Sequence, residues 1–235
     1  MSDTTENNPT ILVILHHSCG DTGKIGQILT ELGYRLEIRC AIEGDELPAP
    51  GHYAGIVMFG GLMSANDAGT LSGIQREIEW LPSVIADQVP YLGICLGAQL
   101  LAKSLGAGVA RKPDESVEIG FHSIRPIGKG FNMLPSKGMR FYQWHLEGFS
   151  IPKDCERLAE SDHFPNQAFQ VNDKTIGLQF HPEATRKMID CWIQREPEHL
   201  ALRGAQSYKT QIELFRECDE MITTWLNRFL RGWLH

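Results

Sequence analysis

The fold turns on the segment Val89-Pro-Tyr-Leu-Gly93-Ile-Cys95-Leu-Gly97-Ala-Gln99-Leu-Leu101. Residues 91–94 have the length and apolar character of a buried strand, and residues 96–105 continue at once with helical spacing. A strand that enters a helix at a cysteine, with a glycine two positions to either side, describes a sharp turn. The small neighbours let strand and helix approach while the thiol projects clear. The first N–H groups of that helix lack intrahelical partners, and its dipole is positive there, so thiolate is favoured over thiol. Cys95 is therefore a candidate nucleophile, and the backbone N–H of Leu96 a candidate donor to an oxyanion.

Working outward, apolar runs at residues 11–15, 35–39 and 55–59 read as further buried strands. Helical spacing lies between them at residues 24–32 and 71–86, where Pro82 is expected to kink or interrupt the helix. Strands alternating with helices give an α/β fold, an open and mostly parallel sheet flanked by helices. Residues 117–127 and 155–180 alternate and are rich in turns, so antiparallel additions are expected at one side of the sheet. Residues 206–231 contain no Pro or Gly and set Ile212, Phe215, Ile222, Leu226 and Phe229 near one stripe, as a long amphipathic helix does. Packing on the domain's own core is the favoured reading of this tail; Trp225 and Trp233 weakly support a docking surface instead. The expected organisation is a disordered N-terminus at residues 1–9, one domain at residues 10–195, and a helical extension at residues 196–235 packed on it.

Composition narrows the function classes. With 22 Lys and Arg against 29 Asp and Glu, the net charge is −7, so no basic field suits a nucleic-acid or anionic membrane partner. The polar N-terminus does not resemble a secretory signal, and no apolar run approaches membrane-spanning length. A cytoplasmic location is expected. Six scattered cysteines, with no Cys-x-x-Cys pair, fit neither a zinc ribbon nor a disulfide framework and read mostly as buried thiols.

A cysteine nucleophile needs a base, and the base needs an orienting group. Residues 175–180 are strand-like and run into His181-Pro182-Glu183. In extended backbone, positions two apart face the same side, so Glu183 can hold the His181 ring toward Cys95. A metal held by His181 and Glu183 lacks a third ligand of evident spacing, and none is expected. Residues 55–59 run into Gly60-Gly61, a turn able to present the Gly61 N–H beside that of Leu96, although a plain strand-ending turn is the simpler reading of this segment alone.

Together, Gly93-Ile-Cys-Leu-Gly-Ala-Gln99, His181-Pro-Glu183 and Gly60-Gly61, in this order, resemble the class I, triad-type glutamine amidotransferases over residues 11–193. Phe141-Tyr-Gln-Trp-His145 is similar to a segment of the GMP synthetase glutaminase domain, which points to the stand-alone members near it. The resemblance implies a flavodoxin-like sheet, glutamine as substrate without a cofactor, and a catalytic set of Cys95, His181 and Glu183. It also implies that Gly60, Gln99 and the backbone around Gln143, Trp144 and His145 hold the glutamine. Leu146-Glu147-Gly follows His145 where similar proteins usually have Gly-Asp.

No Gly-x-x-x-x-Gly-Lys-Ser/Thr loop occurs, so ATP-dependent activation of an ammonia acceptor is expected from a separate synthetase subunit. The same chemistry suits a γ-glutamyl peptidase or hydrolase, and a non-catalytic glutamine-binding regulatory subunit is a rival of another class. A cysteine-dependent stress protein of related fold fits less well, because that group lacks the His-Pro-Glu strand end.

Overall fold

The computed structural model describes residues 8–17 and 20–234. Of the expected disordered segment, residues 1–7 lie outside the described residues, as does Cys19. At Pro9 the carbonyl already accepts the Arg35 N–H, at 3.0 Å.

The chain forms β1 (Thr10–Ile14), α1 (Gly23–Glu31), β2 (Arg35–Arg39), β3 (Gly55–Met58), α2 (Ser72–Ala86), β4 (Tyr91–Ile94) and α3 (Leu96–Ser104). There follow β5 (Val109–Arg111), β6 (Glu118–Pro126), β7 (Met139–His145), β8 (Glu147–Phe149), β9 (Glu156–Glu160), β10 (Ala168–Asn172) and β11 (Thr175–Leu178). Two helices, α4 (Arg186–Arg195) and α5 (Tyr208–Trp233), end the chain. The main sheet among the described residues runs β2-β1-β3-β4-β11-β10-β9-β6-β7, and β5 pairs with β8 apart from it. From β2 to β11 the neighbours are parallel; from β11 to β7 they are antiparallel. The mostly parallel sheet with antiparallel additions on one side agrees with the sequence reading.

The central strands are apolar on both faces because both faces are covered. Ile11, Val13, Val57, Leu92 and Ile94 pack with Ile25, Ile28 and Leu29 of α1, Ile189 of α4 and Trp225 of α5. The alternate residues Leu12, Ile14, Ile56, Met58 and Tyr91 pack on the other face with Ile74 and Leu81 of α2 and Leu100 and Leu101 of α3. Alternation along each strand thus feeds two separate cores.

The sequence left alternatives open at Pro82 and at the C-terminal tail. Helix α2 is not interrupted, since Pro82 sits inside its continuous span. Proline removes one N–H and crowds the preceding turn, but Leu81 and Val84 are fully buried on either side of it, and their packing outweighs the lost hydrogen bond. In the tail, Trp225 and Trp233 both face the core. Trp225 donates its indole N–H to the Met133 carbonyl at 2.8 Å, and Trp233 donates to the Lys174 carbonyl at 3.0 Å. Both rings are buried. Helix α5 is capped by Ser207, whose side chain accepts from the Thr210 N–H, and Lys24 of α1 pairs with Asp219 of α5 at 2.5 Å. No described helix is long and apolar enough to cross a membrane.

Candidate active site

Four adjacent parallel strands, β1, β3, β4 and β11, end on the same side of the sheet, and just beyond their C-terminal ends lie His16, Gly60, Cys95 and His181. Convergence of loops at this edge is the general property of open α/β sheets that places ligand sites there.

Cys95 is the residue between β4 and α3, with φ +50° and ψ −105°, a conformation that side-chain-bearing residues rarely adopt. Its N–H is anchored to the Leu178 carbonyl at 2.8 Å. Both flanking glycines are steric requirements. A Cβ on Gly93 would strike the backbone of Gly97, and a Cβ on Gly97 would strike the Met58 carbonyl of β3. Strand and helix are therefore as close as backbone allows, and the thiol is turned out at the apex.

His181 lies three residues past the end of β11, its N–H bonded to the Tyr142 carbonyl at 2.8 Å. Its Nδ1 and Glu183 Oε1 lie 2.7 Å apart, both residues being buried. This fixes the ring and leaves Nε2 as the free nitrogen, buried without a partner at hydrogen-bonding distance. Gly60 gives its location: a Cβ there would fall 2.9 Å from His181 Cε1, 3.8 Å from Nε2 and 3.4 Å from Cys95 Cβ. Only a glycine lets the ring and the thiol share this space. Burial works against a charged imidazole, but the negative charges of Glu183 and the Cys95 thiolate outweigh it, and the His181 pKa rises to about 10. At neutral pH the His181 ring therefore keeps its second proton.

A cavity of about 260 Å³ opens on this group, with Gly60, Gly61, Cys95, Trp144, His181 and Glu183 in its wall. Leu96 is buried against Gly61, its Cδ2 lying 3.0 Å from where a Gly61 Cβ would be. Beyond His181 the wall continues along α4 through Lys187, Met188, Cys191, Trp192 and Arg195.

The side chains of Gln99, Gln143 and His145 do not line this cavity. Gln99 donates from Nε2 to the Glu147 carbonyl at 3.0 Å and to Gln179 Oε1 at 3.3 Å. Gln143 donates to Gln167 Oε1 at 2.7 Å, and His145 bridges Glu118 Oε2 at 3.1 Å and the Glu147 carbonyl at 2.9 Å. Burial opposes ionisation of Glu118, but His145 and Ser161 outweigh it and hold the carboxyl below its ordinary pKa. The backbone of this segment does reach the site, with the Trp144 carbonyl 3.9 Å from Cys95 Sγ.

Sequence reasoning missed three neighbours. Gln179 places its amide Nε2 3.6 Å from Cys95 Sγ; its position two before His181 on an extended segment was the available signal. Trp192 packs on the His181 ring, with centroids 4.9 Å apart. His16 touches the Gly60 turn and has no local motif to mark it. Among the described residues, one group brings three His, Cys or carboxylate ligand atoms within 4.8 Å of one another: Glu196, Glu198 and His199, beyond α4 and without His181 or Glu183.

Residues 21–193 match the family described as glutamine amidotransferase class-I, and the chain belongs to that family. A glutamine-hydrolysing GMP synthase subunit from Thermococcus kodakarensis is 33% identical over 169 residues, 70% of this chain and 76% of the relative. The GMP synthase of Aeropyrum pernix is 33% identical over 180 residues, 72% of this chain but only 33% of that longer protein. A glutamine amidotransferase crystal structure from Thermotoga maritima superposes with a TM-score of 0.86 at 27% identity, covering 97% of this chain and 99% of the other. A class I glutamine amidotransferase fold and a general glutamine amidotransferase function are what the chain shares with these proteins.

Proposed function

We propose that the chain hydrolyses the side-chain amide of glutamine through a thioester on Cys95, with His181 and Glu183 completing the catalytic set. The Cys95 thiolate attacks the carboxamide carbon, forming a C–S bond. The resulting oxyanion is held by the N–H groups of Leu96 and Gly61. His181 gives its Nε2 proton to the departing nitrogen as the C–N bond breaks, releasing ammonia and leaving a γ-glutamyl thioester. With the thiolate consumed, neutral His181 takes a proton from water, which attacks the thioester and releases glutamate; the thiolate and imidazolium are then restored. Glu183 keeps the ring in one orientation throughout.

The observation that carries this reading is the 2.7 Å His181–Glu183 contact beside a thiol held at positive φ on a helix N-terminus. Those features favour the reactive thiolate and a proton donor at one point of the cavity. The likeness to a relative that is itself one part of a GMP synthase supports a separate synthetase chain as consumer of the ammonia. The extension of the cavity along α4 favours a second substrate, a γ-glutamyl amide with a larger leaving group, since ammonia needs none of that wall. Release of glutamate and ammonia, lost in Cys95→Ala, tests the reading. A higher kcat/KM for γ-glutamyl dipeptides than for glutamine selects the hydrolase.

A further inference from the structure

A second buried carboxylate–imidazole pair borders the same cavity and takes no part in the steps above. His16, two residues past the end of β1, has Nε2 3.0 Å from Glu77 Oε2 of α2 and Nδ1 3.3 Å from the Gly60 carbonyl oxygen. Neither side chain reaches solvent, at 1% and 0% exposure, and the other Glu77 oxygen, Oε1, has no hydrogen-bond partner. His16 is thus the group that compensates this buried carboxylate.

The proton count restricts what the ring does. Both neighbours of the ring nitrogens are oxygens, one a carbonyl that can only accept. Two hydrogen bonds therefore require a proton on Nδ1 and a second proton shared between Nε2 and Glu77. Whichever partner holds the second proton, Nδ1–H points at Gly60. Glu77 fixes the ring tautomer for His16 as Glu183 fixes the ring for His181.

The consequence lies in the peptide that joins Gly60 to Gly61. Its carbonyl is the one His16 holds, and its N–H is that of Gly61. No described peptide bond is cis, and in a trans peptide C=O and N–H point in opposite directions. Fixing the carbonyl on His16 therefore fixes where the Gly61 N–H points. A Gly-Gly pair lacks the side chains that would otherwise resist rotation of this peptide, so an outside anchor is needed. The approach is close: a Cβ on Gly61 would fall 2.7 Å from His16 Cβ.

We infer that His16, held by Glu77, is a positioning residue that clamps the Gly60–Gly61 peptide with its N–H turned toward the oxyanion formed at Cys95. The inference rests on the proposed glutamine hydrolysis through Cys95.

The test separates oxyanion formation from thiolate reactivity. Alkylation of Cys95 by iodoacetamide needs the thiolate but forms no oxyanion, whereas glutamine hydrolysis needs both. His16→Ala is expected to lower kcat about 100-fold, the scale of one lost oxyanion donor, with KM and the alkylation rate unchanged. His16→Asn sets an amide N–H near the place of Nδ1 and is expected to recover most of kcat. His16→Gln sets it near the place of Nε2 and is expected not to. The Asn and Gln pair keeps the test open if the alanine variant does not fold. Full kcat in His16→Ala, equal losses in hydrolysis and alkylation, or no difference between Asn and Gln would overturn the clamp. Hydrolysis that survives Cys95→Ala would instead overturn the reading beneath it.

Discussion

Cys95 carries a conformational strain of about 1–3 kcal/mol at φ +50°, and the surrounding hydrogen bonds and packing hold it there. Glycine would relieve that strain and lose about 0.5–1 kcal/mol of backbone entropy. Cys95→Gly is thus expected to be about 1 kcal/mol more stable than wild type in denaturant unfolding, while inactive. At His181 the raised pKa sets both stability and rate. The folded value, about 10, lies above the unfolded one, so protonation favours the folded state. That contribution is complete below the unfolded value of about 6.5 and is lost as pH rises through about 10. Activity is expected to fall through the same alkaline range, because deprotonated His181 has no proton for the leaving nitrogen. Glu183→Gln removes the charge that raises the ring, moving the alkaline limb of kcat/KM to lower pH and reducing kcat by about 10²- to 10⁴-fold. An unmoved limb would assign the ionisation elsewhere. Cys95 and His181-Pro-Glu183 were legible in the sequence because each lies within a few residues of its own structural cue. His16 and Glu77 were not, since their pairing joins residues 61 apart and depends on which strands are neighbours.

At the scale of elements, the turn between β4 and α3 depends on contact between backbones. Gly97→Ala forces a Cβ into the Met58 carbonyl. It is expected to cost about 1–3 kcal/mol by overpacking and to lower kcat more than the same destabilisation introduced far from the site; urea midpoints with matched activity assays read both. Strands β1 to β4 were legible because they are short apolar runs between turn residues. Helix α4 was not: Arg-Lys-Met-Ile-Asp-Cys-Trp-Ile-Gln-Arg buries only Met188 and Ile189, so its apolar signal is weak, although its cap at Thr185 accepts from the Met188 N–H. The short β5–β8 pair likewise lacks a sequence signal, because three residues are too few to show alternation.

For the whole molecule, α5 belongs to the core that supports the site. Trp225 packs on Phe141, at 4.8 Å between centroids, and Phe141 stacks on Phe180, at 4.3 Å, next to His181. Trp225→Ala is expected to lose about 3–5 kcal/mol, read as a lower denaturant midpoint with activity retained per folded molecule. An unchanged midpoint would contradict the role given to the helix. The sequence stripe located this helix, while its tryptophans alone left a docking surface open as the weaker reading, since an aromatic near a chain end reads the same whether it covers a core or awaits a partner. Both indole N–H groups meet backbone carbonyls of distant loops, a contact that no periodicity shows.

Every step of the proposed chemistry passes through the Cys95 thioester, and intact-protein mass spectrometry after acid quench of a glutamine-saturated reaction tests for it most directly. The expected result is a mass gain of one glutamyl group, mapping to Cys95 and absent from Cys95→Ala, in which ammonia release also ceases. Continued ammonia release from Cys95→Ala, or an adduct mapping to another residue, would contradict it.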